Sequence, residues 1–198
     1  MSATGAAPLP SAVLVRHAET AWTLTGQHTG RTDVPLTDHG RDVARALAPA
    51  LAGRALDLVL VSPSLRARET CELCGLAARA EPCEDLLEWN YGDYEGLTTA
   101  QILERRPDWN MWRDGCPGGE SPADVGSRAD RVIASLAGVG HAALFSHGHL
   151  LRVLGARWIE LEAAAGAHLG LSPGALCVLG HERATPVLAG WNQTPASA

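Results

Sequence analysis

Short apolar runs that stop abruptly at polar or charged residues punctuate this chain. Ala12-Val13-Leu14-Val15 ends at Arg16-His17, Leu56 to Val61 ends at Ser62-Pro63, and Ala142 to Phe145 ends at Ser146-His147-Gly148. Brief apolar runs without alternation predict strands buried on both faces. Between the runs the apolar spacing changes. Thr37 can cap a helix with Val43, Leu47 and Leu51 on one side, and Pro49 is expected to kink or end it. Ser62-Pro63 reads as the cap and first residue of a helix reaching about Ala78, and Ser121-Pro122 as the same for a helix reaching about Ala137. A helix over 149–158 follows the third run, and 175–179 with 186–189 predict a closing pair of strands. Residues 1–11 are small and contain proline, which predicts a loose start. Residues 80–120 carry Trp89, Trp109, Trp112, Tyr91 and Tyr94 among glycines, which predicts an irregular excursion with one short helix over 98–105. No repeat or low-complexity segment interrupts the pattern.

Apolar strands alternating with helices predict an α/β fold. The expected form is a three-layer sandwich, a mostly parallel sheet with helices on both faces, in one domain over 1–198. In such sheets ligands bind beyond the carboxyl ends of the strands. Arg16, His17 and His147 fall at strand ends, and Arg66 in the first turn of a helix after another. Three separate elements thus deliver two arginines and two histidines to one rim.

Composition narrows the partners. The 198 residues carry a formal net charge of −6, a poor match for nucleic acid or an anionic membrane. An anionic substrate would need a local cationic cluster, which the rim supplies. The five cysteines are an odd number in a chain too long to need disulfide staples. Cys71-x-x-Cys74 lies inside a predicted helix with no second pair, so buried thiols are expected, and no H-E-x-x-H pattern occurs. No metal or cofactor is therefore expected. The start lacks a basic, apolar leader and no run approaches 18 apolar residues, so the cytoplasm is the expected location.

The residue types at the rim suit phosphoryl transfer. Guanidinium forks bind phosphate oxygens bidentately and stay charged. A neutral imidazole is a nucleophile near neutral pH and can form a covalent intermediate. A second imidazole can donate to a phosphoryl oxygen, a nearby carboxylic acid can protonate the leaving alcohol, and helix N-termini add N–H donors.

Four ordered signatures then resemble one family. They are Val15-Arg16-His17-Ala18-Glu19-Thr20 (followed by Gly26 to Gly30 and Asp33 to Thr37), Ser62-Pro63-Ser64-Leu65-Arg66-Ala67 with Thr70, Glu88-Trp89-Asn90-Tyr91-Gly92-Asp93-Tyr94-Glu95-Gly96, and Ser146-His147-Gly148-His149. Together they span residues 12–155 and resemble the histidine phosphatase (phosphoglycerate mutase-like) superfamily. Ala18, where glycine is usual, is a small departure. The resemblance implies His17 as the phosphorylated nucleophile, and Arg16, Arg66 and His147 as the phosphate pocket. It implies Glu88 as the proton donor and later base, and Thr23, Thr29, Gly30, Tyr91 and Gly148 on the substrate side. Residues 109–120 and the run His147 to Arg152 resemble the branch of sugar-bisphosphatases, among them sedoheptulose-1,7-bisphosphatases, and broad acid phosphatases.

A metal-independent phosphomonoesterase acting on small phosphorylated metabolites, sugar phosphates first among them, is the expected activity. Two alternatives stand beside it. A phosphoglycerate mutase is one, although the segment from Glu88 to His147 is short for the lid that retains a phosphorylated intermediate. A non-catalytic phospholigand-binding module is the other, although both His17 and Glu88 are present. A homodimer through the Trp-bearing side of the excursion is a further expectation.

Overall fold

Strand β1 (Ser11–Arg16) buries Ala12, Val13, Leu14 and Val15 in full. Beside it lies parallel β4 (His141–Ser146), in a register that runs from Ser11 opposite His141 to Arg16 opposite Ser146. The far edge of β4 pairs with parallel β2 (Leu58–Val61), and β2 with the three-residue β3 (Ala80–Pro82). On the other side of β1 the sheet turns antiparallel, through β5 (Leu176–Glu182) and β6 (Thr185–Gln193). The computed structural model describes residues 9–195, and its six strands are ordered β3-β2-β4-β1-β5-β6.

Alternate side chains of each strand serve opposite layers. Val13, Val15, Val59, Val61, Ala143 and Phe145 face one way, onto Leu47 and Leu51 of α2 (Asp38–Ala52) and Ala67 and Cys71 of α3 (Leu65–Leu73). Ala12, Leu14, Leu60, Ala142 and Leu144 face the other way, onto α6 (Pro122–Ser135) and α7 (Gly148–Trp158). The expected three-layer α/β sandwich with a mostly parallel sheet is therefore what forms. Shorter helices lie in the loops: α1 (Ala21–Thr25), α4 (Thr99–Arg105) and α5 (Met111–Asp114).

Several boundaries differ from expectation. Helix α3 starts at Leu65 with Ser64 at the N-cap and ends at Leu73, so Ser62-Pro63 is not its start. Ser62 instead continues the sheet, its N–H donating to the carbonyl of Phe145 at 2.9 Å. Pro49 does not end α2, which runs on to Ala52. It sits in the last turn on an exposed side, where the carbonyl it leaves unpaired can turn to water. Of the expected loose start, residues 1–8 lie outside the described residues, and Ser11 already belongs to β1. Ser121 caps α6 with Pro122 at the first position, as its sequence requires. Among the described residues no helix is long and apolar enough to cross a membrane.

Candidate active site

The register of β1 on β4 is what brings the site together. It sets Arg16 opposite Ser146, so the next residues, His17 and His147, emerge side by side past the sheet. Their ring centroids lie 5.2 Å apart, edge to face. The His17 N–H continues the ladder by donating to the Ser146 carbonyl at 2.9 Å.

The His17 side chain is oriented from its own backbone. Nδ1 lies 2.8 Å from the Ala18 carbonyl, which can only accept, so the proton sits on Nδ1 and Nε2 keeps its lone pair. Burial, then the charges of Arg66 and Arg16, hold the imidazole pKa well below its usual value. The ring is neutral at neutral pH. Thr70 fixes the turn beneath it by accepting from the Ala18 N–H at 3.1 Å and donating to the Arg66 carbonyl at 2.8 Å.

His147 has the opposite tautomer. Arg66 Nε–H donates to its Nδ1 at 3.1 Å, which leaves the proton on Nε2, 2.8 Å from Ser62 Oγ. Burial and the neighbouring Arg66 charge keep this ring neutral too. Arg66 is fully buried. Three of its four remaining N–H groups go to the carbonyls of Thr32 (3.0 Å), Thr29 (2.9 Å) and Gly30 (3.0 Å) and tie the 29–32 loop under the site.

Arg16 is different. One amino group donates to the Leu171 carbonyl, but its buried Nε has no partner, the single such side-chain nitrogen or oxygen among the described residues. A buried N–H without an acceptor is costly, so the position fits an anion. Gly148 permits the geometry, because a Cβ there would stand 3.0 Å from Arg16 Cζ.

Glu88 enters from the loop after β3, and its carboxylate is seated on the N-terminus of α7. It accepts from the N–H groups of His149 (3.0 Å) and Leu150 (2.9 Å) and from that of Trp89 (2.9 Å). The group that α7 caps and the histidine that precedes α7 are thereby held by one helix end.

A cavity of about 290 Å³ opens over these groups. Of the residues expected at the site, Arg16, His17, Thr23, Thr29, Glu88, Tyr91 and Gly148 line it. Arg66 and His147 lie beneath, fully buried, and do not form its wall. Gly30 does not line it either. Its N–H donates to Glu95 at 2.9 and 3.0 Å, and a Cβ would fall 2.6 Å from Glu95 Oε2 and 2.8 Å from the Trp89 carbonyl. Its glycine is required by that close approach. Tyr91 shares a 2.6 Å hydrogen bond with His149 Nδ1, and burial raises its phenol pKa well above the usual value, so it stays protonated.

Other lining residues escaped the sequence reading: Trp22, Gln27 and Thr99. Ser62 was assigned to a helix cap, not to the site, although it stands in the signature with Arg66. Among the described residues Glu88 is the one carboxylate of the cavity wall, against the guanidiniums of Arg16 and Arg152. The cationic cluster an acidic chain needs for an anionic substrate is thus present. Arg152 lies over the Trp112 ring with Cζ 4.5 Å from its centroid and donates to the carbonyls of Gly166 and Ala167, both at 2.9 Å. Trp89 and Trp109 are buried and turn their Nε1–H groups inward, to the carbonyls of Glu120 (2.9 Å) and Gly115 (2.8 Å). Cys71 and Cys74 are buried and free, and burial pushes both thiols up to about 12.

A three-layer sheet that delivers a neutral imidazole, a second imidazole, an unpaired guanidinium N–H and a carboxylate to one cavity defines a phosphate-handling enzyme. The model of the histidine phosphatase superfamily (branch 1) matches residues 12–194, and the chain belongs to that superfamily. It is 42% identical over 184 residues to an acid phosphatase of Mycobacterium tuberculosis (strain ATCC 25618 / H37Rv), covering 89% of each chain. It is 35% identical over 185 residues to sedoheptulose 1,7-bisphosphatase of Saccharomyces cerevisiae (strain ATCC 204508 / S288c), covering 77% of this chain and 68% of the other. A solved structure of an open-reading-frame product from Mycobacterium tuberculosis superposes with a TM-score of 0.88 at 39% identity, over 93% of this chain and 98% of that one.

Proposed function

We propose that this protein is a metal-independent phosphomonoesterase that hydrolyses small phosphorylated metabolites, sugar phosphates among them, through a phosphohistidine on Nε2 of His17. The observation that carries the reading is the Nδ1–H bond to the Ala18 carbonyl, which leaves Nε2 unprotonated beside the unpaired Arg16 Nε. The names of the relatives support the substrate class, and the family match over 12–194 supports reading the chain as one catalytic domain.

The reaction has two steps. His17 Nε2 attacks phosphorus and the bond to the leaving oxygen breaks. That oxygen takes its proton from the Glu88 carboxyl group. Water then attacks phosphorus, Glu88 carboxylate accepts its proton, and the P–N electron pair returns to Nε2. Arg16, Arg66 and the Nε2–H of His147 offset the charge on the phosphoryl oxygens. His147 must release Ser62 to do so, and Arg66 holds its ring in the donating tautomer. Thr23, Thr29, Tyr91 and Gly148 shape the substrate side, and Gly30 supports it from behind through Glu95. Arg16 and Arg152 both line the cavity, which supports a substrate that carries more than one anionic group. The same reading puts the enzyme in the cytoplasm, where its five free thiols stay reduced.

The test is labelling with a radiolabelled phosphate ester in the presence of a chelator, quenched in denaturant at alkaline pH and run beside His17→Ala. Acid-labile label on the wild type alone, with turnover unaffected by chelator, is expected. Unlabelled wild type would favour a non-catalytic binding module. Isomerisation of 3-phosphoglycerate faster than release of phosphate would favour a mutase.

A further inference from the structure

We propose that Arg128 of α6, with Glu120 as its anchor, is the positioning residue for the Glu88 carboxyl group. The inference rests on the reading of Glu88 as acid and base, and it concerns what keeps that carboxyl group in place.

A guanidinium has five N–H donors. Arg128 is buried and uses all five. Nε and Nη2 donate to Glu120 Oε1 and Oε2, at 2.7 and 2.9 Å. Nη1 donates to the carbonyls of Asp85 and Leu87, both at 2.8 Å, and Nη2 also to the carbonyl of Glu88 at 3.3 Å. Three of these acceptors are backbone oxygens of the one loop that carries Glu88. The loop needs such a hold. It leaves the sheet from β3, a three-residue strand at the edge, and contains only two 3-10 turns, Glu84–Leu86 and Gly92–Tyr94, before α4.

Glu120 closes the other side. Its Oε2 accepts from the Asn90 N–H at 2.7 Å, its own N–H donates to the Asn90 carbonyl at 2.9 Å, and its carbonyl accepts from Trp89 Nε1 at 2.9 Å. The ion pair therefore brackets Glu88 from residue 85 to residue 90. Neither partner lines the cavity. Burying both charges is expensive, and an apolar pair of like volume often serves stability as well. What an apolar pair cannot do is hold the backbone on both sides of one carboxylate, the carbonyls of Asp85 and Leu87 before it and the Asn90 N–H after it. The head of Glu88 is fixed by α7 and its backbone by α6, and the two helices pack together.

The prediction separates positioning from mere support. A displaced acid slows departure of a poor leaving group far more than of a good one. Values of kcat/KM, which report the step that phosphorylates His17, are measured on p-nitrophenyl phosphate and on glycerol phosphate. The proteins are wild type, Arg128→Lys, Glu120→Gln and Glu88→Gln, each checked for folding by circular dichroism and melting temperature. Arg128→Lys keeps the charge but not the five-donor fork, and Glu120→Gln gives a milder lesion should the lysine variant fold poorly. The expected result is a loss on glycerol phosphate at least tenfold larger than on p-nitrophenyl phosphate in both network variants, approaching the about 10²-fold or greater split of Glu88→Gln. Equal losses on the two esters, or no loss, in folded network variants while Glu88→Gln shows the split would overturn the positioning role alone. An unsplit Glu88→Gln would overturn the assignment of the acid, and the proposal with it.

Discussion

The imidazole of His17 meets that of His147 edge to face, and the two rings are held in opposite tautomers by the Ala18 carbonyl and Arg66 Nε. One ring presents a lone pair and the other an N–H. An extra proton on His17 Nε2 would remove its lone pair, and one on His147 Nδ1 would remove the acceptor that Arg66 Nε needs, so burial that excludes the extra proton is part of the site.

That exclusion sets a pH dependence of stability. The pKa values of His17, His147 and His149 are all lowered, by burial first in each case. In the unfolded chain each takes up a proton near pH 6.5. Below that value the unfolded state binds more protons than the native one, so stability present above about pH 6.5 is lost as pH falls. Each ring contributes a slope of up to about 1.4 kcal/mol per pH unit. Urea midpoints should fall steeply between about pH 6.5 and 5, and His149→Gln should flatten the slope. A midpoint independent of pH over that window would refute the neutral state of these rings.

The unpaired Arg16 Nε predicts stabilisation by an oxyanion. Inorganic phosphate or vanadate at about a hundred times its Kd should add about 2.7 kcal/mol, a rise in Tm of about 5–10 °C for a chain of this size. Arg16→Met should remove the shift. Differential scanning fluorimetry reads both, and an equal shift in the variant would place the anion elsewhere.

Gly30 predicts a loop that tolerates no side chain. The Cβ of Gly30→Ala would overlap Glu95 Oε2 and the Trp89 carbonyl. Overpacking of this kind costs about 1–3 kcal/mol. The displacement reaches the backbone next to Glu88 and the carbonyl that receives Arg66. Thermal unfolding and kcat/KM should both drop. A variant that melts and turns over like wild type would show that the loop yields freely.

Arg66 predicts a loss that charge alone cannot restore. Removing it leaves the carbonyls of Thr29, Gly30 and Thr32 without their donor. The Thr29 and Gly30 carbonyls are buried while Thr32 is exposed, and buried orphans cost about 1–3 kcal/mol each, so Arg66→Met should lower stability by at least about 2 kcal/mol. Arg66→Lys keeps the charge but cannot reach all three carbonyls and His147 together. Denaturant unfolding that ranked lysine equal to arginine would contradict this.

Much of this was legible in the chain because each strand that carries chemistry is apolar to its last residue. Ala12–Val15 and Ala142–Phe145 are buried on both faces, so their ends at Arg16-His17 and Ser146-His147 could be read directly. Thr37 and Ser121 announced their helices because their side chains do cap them. Ser62 misled because a serine before proline has the same spelling whether it caps a helix or, as here, ends a strand and meets a histidine from β4. β3 was hidden because Ala80-Glu81-Pro82 has neither an apolar run nor alternation, and its pairing to β2 is set by tertiary contact. Helix α1 was missed although Thr20 and Thr23 form a reciprocal cap that their spacing hints at. The five-acceptor role of Arg128 could not be seen at all, since three of its partners are backbone carbonyls with no sequence signature.

The inward-turned indoles of the 80–120 segment have a consequence for how such an enzyme changes its diet. Trp89 and Trp109 bind the segment to itself and to the core, while Trp22, Gln27 and Thr99, on separate short elements, face the cavity. Substitutions at those three positions alter the chemistry a substrate meets without touching the strand ends that cleave it. Substrate range can therefore wander under selection while the reaction itself is inherited intact.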